Sequence, residues 1–403
     1  MLRNGIAGTV LCVLFFPWAL SAARTSVNAV VTVNAGADVD AATNDYRRIQ
    51  NAINAAAPGD TIILAGTFDF TQPFAAAAWA LGNDNTASTG DDYSVHVPAG
   101  LNDVTLTATA PGAATIQGPG DLPAINLEGF LYFDGGDNQN WEISNLTILD
   151  FDLSIGFFFG AGGSDAFNGT VITGNTIRIA TDLSAAVAPA DVNQNIGIHY
   201  AFGANQTITG NVIMIPGTGV SNSGGGQFAA TVGMQSNTSG GAVYDGLVIS
   251  NNQIQILGAQ SADPETILGI WENAHGHTSD ITVSGNTFTN LAPGNDPDLN
   301  LQRAFRVTSH SGATTVVEYA SNSVSGANIG FQWLAGSNFA GNQPVRMTNN
   351  RIANNATAVH VQSNGSAVLL ENDLGGNTVL ALRNDTAVAI SADRNWWGSN
   401  LAT

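Results

Sequence analysis

Short runs of alternating apolar and polar residues recur along most of the chain, and many of them are followed by an asparagine. Typical segments are "VITGNTIRI" from Val171, "TITGNVIMI" from Thr207 and "LVISNNQIQI" from Leu247. Alternation with a period of two residues indicates a β-strand with one buried face, and Gly and Asn are typical of turns. Each segment therefore predicts two short strands joined by a tight turn.

The asparagines that follow these runs align, and we take the aligned set to be Asn145, Asn175, Asn211, Asn252, Asn286, Asn322, Asn350, Asn372 and Asn395. The shortest spacing is 22 residues, from Asn350 to Asn372, which fixes the size of one bare repeat. A repeat of this size without a helical period predicts one coil of a β-solenoid. Asparagines stacked from coil to coil can hydrogen-bond to one another, so we expect them to be structural.

One segment ahead of the repeats has helical periodicity. In "NDYRRIQNAINAAAPGD", Ile49, Ala52, Ile53 and Ala56 share one helical face, and Pro58 ends the helix. The "TIILAGTF" that follows predicts the first strand of the solenoid. A helix here would cover the open end of the solenoid, where strand edges are otherwise exposed.

The helix, the first strand, the repeated "GN" turns and the terminal "NWWG" together resemble the right-handed parallel β-helix proteins of the pectin-lyase-like superfamily. The resemblance extends from about Ala29 to the end of the sequence. It implies an all-β fold, a single-stranded right-handed parallel β-helix with an N-terminal capping helix. We expect an N-terminal segment with that helix at 23–57 and the β-helix at 58–403. The superfamily includes pectate and alginate lyases, polygalacturonases and noncatalytic surface proteins, so the fold does not decide the function.

The composition is acidic. The chain has 403 residues and a formal net charge of −20, and all 11 basic residues are Arg. Phosphate binding requires a cationic surface, so we expect no nucleic-acid partner. The same charge opposes contact with a polyanionic glycan unless a cation bridges the two, which makes Ca²⁺ a candidate cofactor, although no cofactor is certain.

The first 22 residues predict a signal peptide. Arg3 is followed by the apolar "IAGTVLCVLFFPWAL" and by small residues from Ser21 to Ala23. The apolar run is shorter than the roughly 20 residues that a spanning helix needs. We therefore expect a secreted protein, extracellular, periplasmic or on the cell surface, with no membrane insertion after cleavage. Cys12 is the only cysteine, so the secreted chain would have no disulfide.

A second series of runs precedes the asparagine-bearing strands, as in "IGIHYAFG" from Ile196, "LGIWENAHGH" from Leu268 and "IGFQWLAG" from Ile329. A small residue is followed by an apolar one, which should point inward, and the next residue should point outward. The predicted outward column is Phe158, His199, Gln235, Trp271, Arg306, Gln332 and His360. Aromatic, amide, imidazole and guanidinium groups in a solvent-facing column suit an extended polysaccharide, although an ordinary polar surface is the alternative.

From this face we select candidate site residues. The substrate-binding candidates are His199, Tyr200, Trp271, His277, Arg303, His310, Gln332, Trp333 and His360, and the catalytic candidates are Arg306, His275 and Glu272. A uronate lyase needs a base beside the carboxylate and a cation to neutralise it, which an Arg and a nearby His can supply. A glycoside hydrolase needs two carboxyl groups, and Glu272 has no evident partner. No set of metal ligands is defined.

Three functions remain open from the sequence. The first is a secreted polysaccharide lyase or glycoside hydrolase that acts on an extended glycan. The second is a noncatalytic surface or adhesion protein that binds glycans, and the third is a structural spacer. The polygalacturonase motifs are not reproduced, and the pectate lyases of the superfamily often carry a Lys that this chain lacks. We expect a monomer.

Overall fold

The computed structural model describes residues 28–83, 93–120, 129–134, 138–158, 167–180, 194–200, 203–216, 230–236, 244–258, 266–272, 275–276, 281–291, 302–307, 310–311, 317–333, 345–362 and 367–398. These residues form a right-handed parallel β-helix. Between the first and last coils, the strands of each sheet pair in parallel with the equivalent strands one coil earlier and one coil later. The predicted fold class is confirmed.

Three parallel sheets run along the β-helix. Sheet A contains Val30–Asn34, the first half of Thr61–Asp69, Thr105–Ala108, Glu142–Ser144, Val171–Thr173, Thr207–Thr209, Val248–Ser250, Ile281–Ser284, Val317–Ala320, Val345–Thr348, Ala367–Leu370 and Ser391–Asp393. Sheet B contains the second half of Thr61–Asp69, Ala114–Gln117, Thr147–Phe151, Thr176–Ile179, Val212–Ile215, Gln253–Ile256, Thr287–Asn290, Ser323–Ser325 and Arg351–Ile352. Sheet C contains Val95–Val97, Gly129–Asp134, Leu153–Phe158, Gln194–Tyr200, Ala230–Ser236, Thr266–Glu272, Arg303–Val307, Ile329–Trp333, Thr357–Val361 and Leu380–Asn384.

Two further pairs of very short strands lie beside these sheets. Gly203–Ala204 pairs with Tyr244–Asp245, and His275–Gly276 pairs with His310–Ser311.

Apolar side chains from all three sheets fill the interior in columns. In sheet A, for example, Ile172 pairs with Ile208 and Ile208 with Ile249, and all three are at most 1% exposed. Burying a side chain of this kind contributes about 1.5–3 kcal/mol. Because one such residue recurs in each strand of every coil, the core is a continuous stack, and neighbouring coils stabilise each other.

The predicted asparagine ladder is present, and it begins at Asn175 rather than at Asn145. Within it, Asn211 Nδ2 donates to Asn252 Oδ1 at 3.0 Å, and Asn252 Nδ2 donates to Asn286 Oδ1 at 3.0 Å. The bonds from one coil to the next continue to Asn395. Register places Leu146 at the ladder position one coil before Asn175.

Asn145 instead occupies the position just before the ladder, where the backbone is left-handed. Its φ is 60°, and the equivalent residues Gly174 and Asn251 have φ of 65° and 54°. Asn and Gly tolerate this conformation better than other residues. The sharp turn between sheets A and B therefore explains why Gly or Asn so often precedes the ladder Asn.

Two helices lie near the N-terminal end, α1 at Asp45–Ala55 and α2 at Pro73–Ala80. The predicted helix is α1, and its N-terminus is capped by Asn44, whose Oδ1 accepts from the backbone N–H of Arg47 at 2.9 Å. Ile49 and Ile53 on α1 are fully buried against the first strands. The strand Val30–Asn34 precedes α1 and extends sheet A, which the sequence did not predict. That α1 shields the end of the solenoid stays a prediction.

The expected signal peptide lies outside the described residues. Within the described part of the chain, no helix is long and apolar enough to cross a membrane.

Candidate functional site

In sheet C, the pairing of neighbouring strands is interrupted at the small residue of each run, without a change of register. Ile196 pairs with Val232 and Ile198 with Met234, but the glycines between them, Gly197 and Gly233, form no pair. A Cβ on Gly197 would lie 2.6 Å from the Gly233 carbonyl oxygen and 3.2 Å from an interior methyl of Ile213. The small residue thus faces a crowded interior, which explains its recurrence in the sequence.

This interruption leaves two columns on the outer face of sheet C. One column follows the interruption and is in register as His199, Gln235, Trp271, Arg306, Gln332, His360 and Arg383. It is the outward column that the sequence predicted from His199 onward. The prediction was wrong one coil earlier, because His199 pairs with Gly156 and not with Phe158. The column continues through Tyr132 to His96.

A second outer column precedes the interruption, and it was not predicted from the sequence. Its members Leu153, Ile196, Val232 and Leu268 form an apolar cluster with Trp271 that is separate from the main core. In the sequence, the apolar residue before each small residue was the signal that could have predicted this column. In the next coil the apolar residue of this column is replaced by a charged one, because Leu268 pairs with Arg303.

The predicted column is not solvent-facing along its middle. The side chains of His199, Gln235, Trp271, Arg306, Gln332 and His360 are only 4–7% exposed. At the two ends the column becomes more accessible, since His96 and Tyr132 are half-buried and Arg383 is exposed. These residues form a mostly buried polar and aromatic stripe on the outside of the β-helix.

Two arginines and a tryptophan meet at the centre of this face, and we call Trp271, Arg303 and Arg306 the arginine–tryptophan centre. The guanidinium carbon of Arg306 lies 5.1 Å from the centroid of the Trp271 ring, within the range of a cation–π contact. Arg303 lies on the same strand and the same face, in the apolar column. Guanidinium groups bind carboxylates in a planar, two-bond geometry, so the centre is suited to an anionic group.

The arginines of this centre have lowered pKa values. Burial, and to a smaller extent the positive charge of Arg303, lower the pKa of Arg306 to about 10. Burial also lowers the pKa of Arg303. Both groups remain charged at neutral pH, and a bound carboxylate would stabilise them in that form.

His199 is held as a neutral imidazole. Burial lowers its pKa to about 4, and the hydrogen bond from Nδ1 to the carbonyl oxygen of Phe157, at 3.2 Å, opposes this only in part. A neutral ring on this face can accept or donate a hydrogen bond but contributes no charge.

Hydrogen bonds fix the later part of the column. Gln332 Nε2 donates to Gln362 Oε1 at 3.1 Å, and His360 Nε2 lies 2.9 Å from Asp385 Oδ2. Arg383 Nε donates to the other oxygen of Asp385 at 3.1 Å. The bonds from Arg383 and His360 lower the pKa of Asp385, which keeps this carboxylate ionised.

Three predicted site residues face the interior instead of a ligand. Tyr200, Glu272 and Trp333 are each at most 1% exposed. Each directly follows a residue of the outward column, so strand alternation turns it inward, and that rule was already available from the sequence. Glu272 accepts a hydrogen bond from the Tyr319 hydroxyl at 2.5 Å inside the β-helix. We therefore correct the assignment of Glu272 as a catalytic group and of Tyr200 and Trp333 as ligand contacts.

The histidines that follow the arginine–tryptophan centre are placed only through the backbone. His275 and His310 are direct register partners on neighbouring coils. Each lies four residues after a member of the centre, Trp271 and Arg306 respectively. His277 lies outside the described residues, as do most of the long connections between coils.

The described residues contain no group of three or more His, Cys, Asp or Glu side chains that could hold a metal ion. The side chains of the described residues therefore do not identify a cation site.

No protein-family model and no curated protein matches the chain. The catalytic unit of a thermostable α-1,3-glucanase from Streptomyces thermodiastaticus is similar at 16% identity and a TM-score of 0.45, over 92% of this chain and 70% of that one. A mannuronan C-5 epimerase A-module from Azotobacter vinelandii is 14% identical with a TM-score of 0.36, over 90% and 97% of the two chains. A mannuronic acid specific polysaccharide family 6 lyase from human gut microbiota is 14% identical with a TM-score of 0.37, over 93% and 88%. At this level of similarity, the function must be argued from the residues of the chain itself.

Proposed function

We propose that this chain is a secreted protein that binds an extended, carboxylate-bearing polysaccharide along the outer face of sheet C. The observation that carries the proposal is the arginine–tryptophan centre. The protein as a whole has a net charge of −20, yet two of its few cations lie together on one strand beside a tryptophan. Buried ionisable groups with shifted pKa values, such as these two arginines, cluster at functional sites.

The shape of the face favours a polymer over a small ligand. The column from His199 to Arg383 advances one residue per coil over seven coils, which spans about 29 Å at about 4.8 Å per coil. Amide, imidazole and guanidinium groups along it can bond hydroxyl and carboxylate groups, and the Trp271 ring can stack on a sugar. A repeating ligand matches a repeating protein surface.

The low exposure of the column has a consequence for binding. Side chains that are only 4–7% exposed can touch a polymer only after the groups covering them move aside. We therefore expect association to be slower than for an open surface, because binding would require a conformational change.

The second candidate function is cleavage of the same polymer by β-elimination, and the pairing of His275 with His310 favours it. In that reaction Arg306 neutralises the uronate carboxylate, and one imidazole removes the proton from the adjacent carbon. The bond to the glycosidic oxygen breaks as the carbon–carbon double bond forms, and the departing oxygen takes up a proton. Hydrolysis is not supported, because it needs two carboxyl groups at the reacting bond and the candidate Glu272 points into the interior.

A binding and depolymerisation screen of the full secreted chain tests the proposal. Polygalacturonate, alginate and uncharged glucans are compared, each with Ca²⁺ and with a chelator, since a divalent cation could link an acidic protein to a polyanion. We expect binding to uronate polymers that weakens with rising salt. A rise in ultraviolet absorbance from unsaturated uronate would show that the protein also has lyase activity. Equal binding to charged and uncharged polymers, or binding to none by a folded protein, would overturn the assignment.

A further inference from the structure

A carboxylate of the protein itself is bound by two members of the outward column of sheet C. Asp385 Oδ2 lies 2.9 Å from His360 Nε2 and 3.0 Å from Arg383 Nη2, and Asp385 Oδ1 accepts from Arg383 Nε at 3.1 Å. His360 and Arg383 are direct register partners on neighbouring strands. This is the two-bond geometry in which a guanidinium binds a carboxylate, with an imidazole as a third partner.

The imidazole donates its hydrogen bond to this carboxylate. The bonds from Arg383 and His360 lower the pKa of Asp385, so the carboxylate is ionised at neutral pH and can only accept hydrogen bonds. The proton of the bond between His360 and Asp385 therefore belongs to His360 Nε2. Arg383 and His360 together direct three N–H groups at one carboxylate, whichever molecule supplies it.

Asp385 reaches this position from the same strand as Arg383. It directly follows the strand Leu380–Asn384, and its backbone N–H donates to the Val361 carbonyl oxygen at 2.9 Å. Its side chain turns back to Arg383, two residues earlier. Because the backbone of Asp385 is held by the sheet, a rotation of its side chain to another rotamer is enough to release Arg383 and His360.

The pair of Arg383 and His360 lies in line with the arginine–tryptophan centre. From Arg306 the outward column continues through Gln332 and His360 to Arg383, which is three coils away. At about 4.8 Å per coil, this separation is about 14 Å along the axis. A uronate polymer carries a carboxylate on each sugar, so a chain held at the centre presents further carboxylates near Arg383 at a high effective concentration.

We propose that Arg383 and His360 form a second carboxylate site for the same polymer, and that Asp385 occupies this site until the polymer displaces it. The inference rests on the proposed function, since it requires a uronate chain on the outer face of sheet C. Asp385 satisfies the donors in the free protein and competes with ligand carboxylates for them. A polymer carboxylate must replace an existing ion pair, so this site favours chains that are already bound at the arginine–tryptophan centre.

The affinity of the full secreted chain for polygalacturonate tests this competition. Asp385→Ala removes the internal carboxylate and should bind about two- to fivefold more tightly than the wild type, the factor that an exposed ion pair typically contributes. Adding Arg383→Gln to this variant should abolish the gain. Glu371→Gln is the matched control, because Glu371 also pairs with an arginine, Arg394 at 2.9 Å, and its side chain is 43% exposed against 40% for Asp385. An unchanged affinity of Asp385→Ala where the wild type binds the polymer, or an equal gain in the control, would overturn the inference.

A second measurement does not depend on the polymer. The ring resonances of isotopically labelled histidines are followed by NMR while acetate is added, and His360→Gln identifies the signal of His360. We expect acetate to shift this signal in Asp385→Ala but not in the wild type, where Asp385 fills the site. The absence of a shift in Asp385→Ala would overturn the second carboxylate site. A shift in Asp385→Ala together with a wild-type chain that binds no polymer would instead overturn the glycan function and confirm that this pair binds carboxylates.

Discussion

Asn252 lies in the middle of the asparagine ladder, and its replacement by alanine tests the explanation of the fold at one side chain. The residue is fully buried. Its Oδ1 accepts from the backbone N–H and from Nδ2 of Asn211, both at 3.0 Å, and its Nδ2 donates to the Ile208 carbonyl oxygen at 2.9 Å. Asn252→Ala removes all three of these bonds together with the bond to Asn286.

The expected cost follows from the groups that lose a partner. The Asn211 backbone N–H and the Ile208 carbonyl oxygen each lose their bond to Asn252. Each buried polar group left without its bond costs about 1–3 kcal/mol, so we expect a destabilisation of about 2–6 kcal/mol. That is a large fraction of the roughly 5–15 kcal/mol by which folded domains are stable.

Urea unfolding followed by circular dichroism measures the loss, and hydrogen exchange locates it. Protection should fall first in the coils that contain Asn211 and Asn252, because each coil is stabilised by its neighbours. Asn251→Gly is the matched control, since Asn251 is exposed with a φ of 54°, a conformation that glycine adopts freely. A change below about 0.5 kcal/mol in Asn252→Ala, or an equal change in the control, would refute the structural role of the ladder.

Three further predictions concern other parts of the β-helix. Gly269→Ala should lower the free energy of unfolding in urea by about 1–3 kcal/mol, because the new Cβ would lie 2.5 Å from the Ala304 carbonyl oxygen. Gly129→Ala is the control and should have a smaller effect, because the atom nearest to its new Cβ would be 3.5 Å away. Tyr319→Phe should cost about 1–3 kcal/mol in the same assay by removing the buried bond to Glu272, and an unchanged midpoint would count against that bond. The pKa of His199 is about 4 in the folded chain and about 6.5 in the unfolded chain. Between these two values His199 is protonated only in the unfolded chain. The free energy of unfolding should therefore fall by about 3 kcal/mol as the pH drops through this window. His199→Gln should flatten that pH dependence, and the same slope in the variant would exclude His199 as its source.

The periodic features of the fold were predictable from the sequence. Alternation, the turn residues and the 22-residue minimum spacing reflect constraints that act on every coil, so each repeat supports the next. The single misplaced member, Asn145, arose because Asn is favoured both in the ladder and in the left-handed turn position just before it. A pattern of residue types does not separate these two roles, whereas the strand register does.

The candidate site was predicted only in part, because strict alternation fails at the small residue of each strand in sheet C. The outward column from His199 onward followed from alternation, but the small residue and the residue after it both face inward. As a result, the apolar column through Leu268 and its replacement by Arg303 were not anticipated. Burial of the column was also not predictable, because it depends on contacts between segments distant in sequence.

The central claim, that the arginine–tryptophan centre binds a carboxylate-bearing polymer, is tested most directly by comparing the affinity of three proteins for polygalacturonate at one ionic strength. They are the wild-type chain, Arg306→Gln, and Arg346→Gln as a control at an exposed arginine on sheet A. All three must show the same circular dichroism spectrum. Removing one partner of a desolvated ion pair costs about 2–5 kcal/mol, so Arg306→Gln should weaken binding by about 30-fold or more, and Arg346→Gln by much less. Equal affinities for all three proteins would contradict the account.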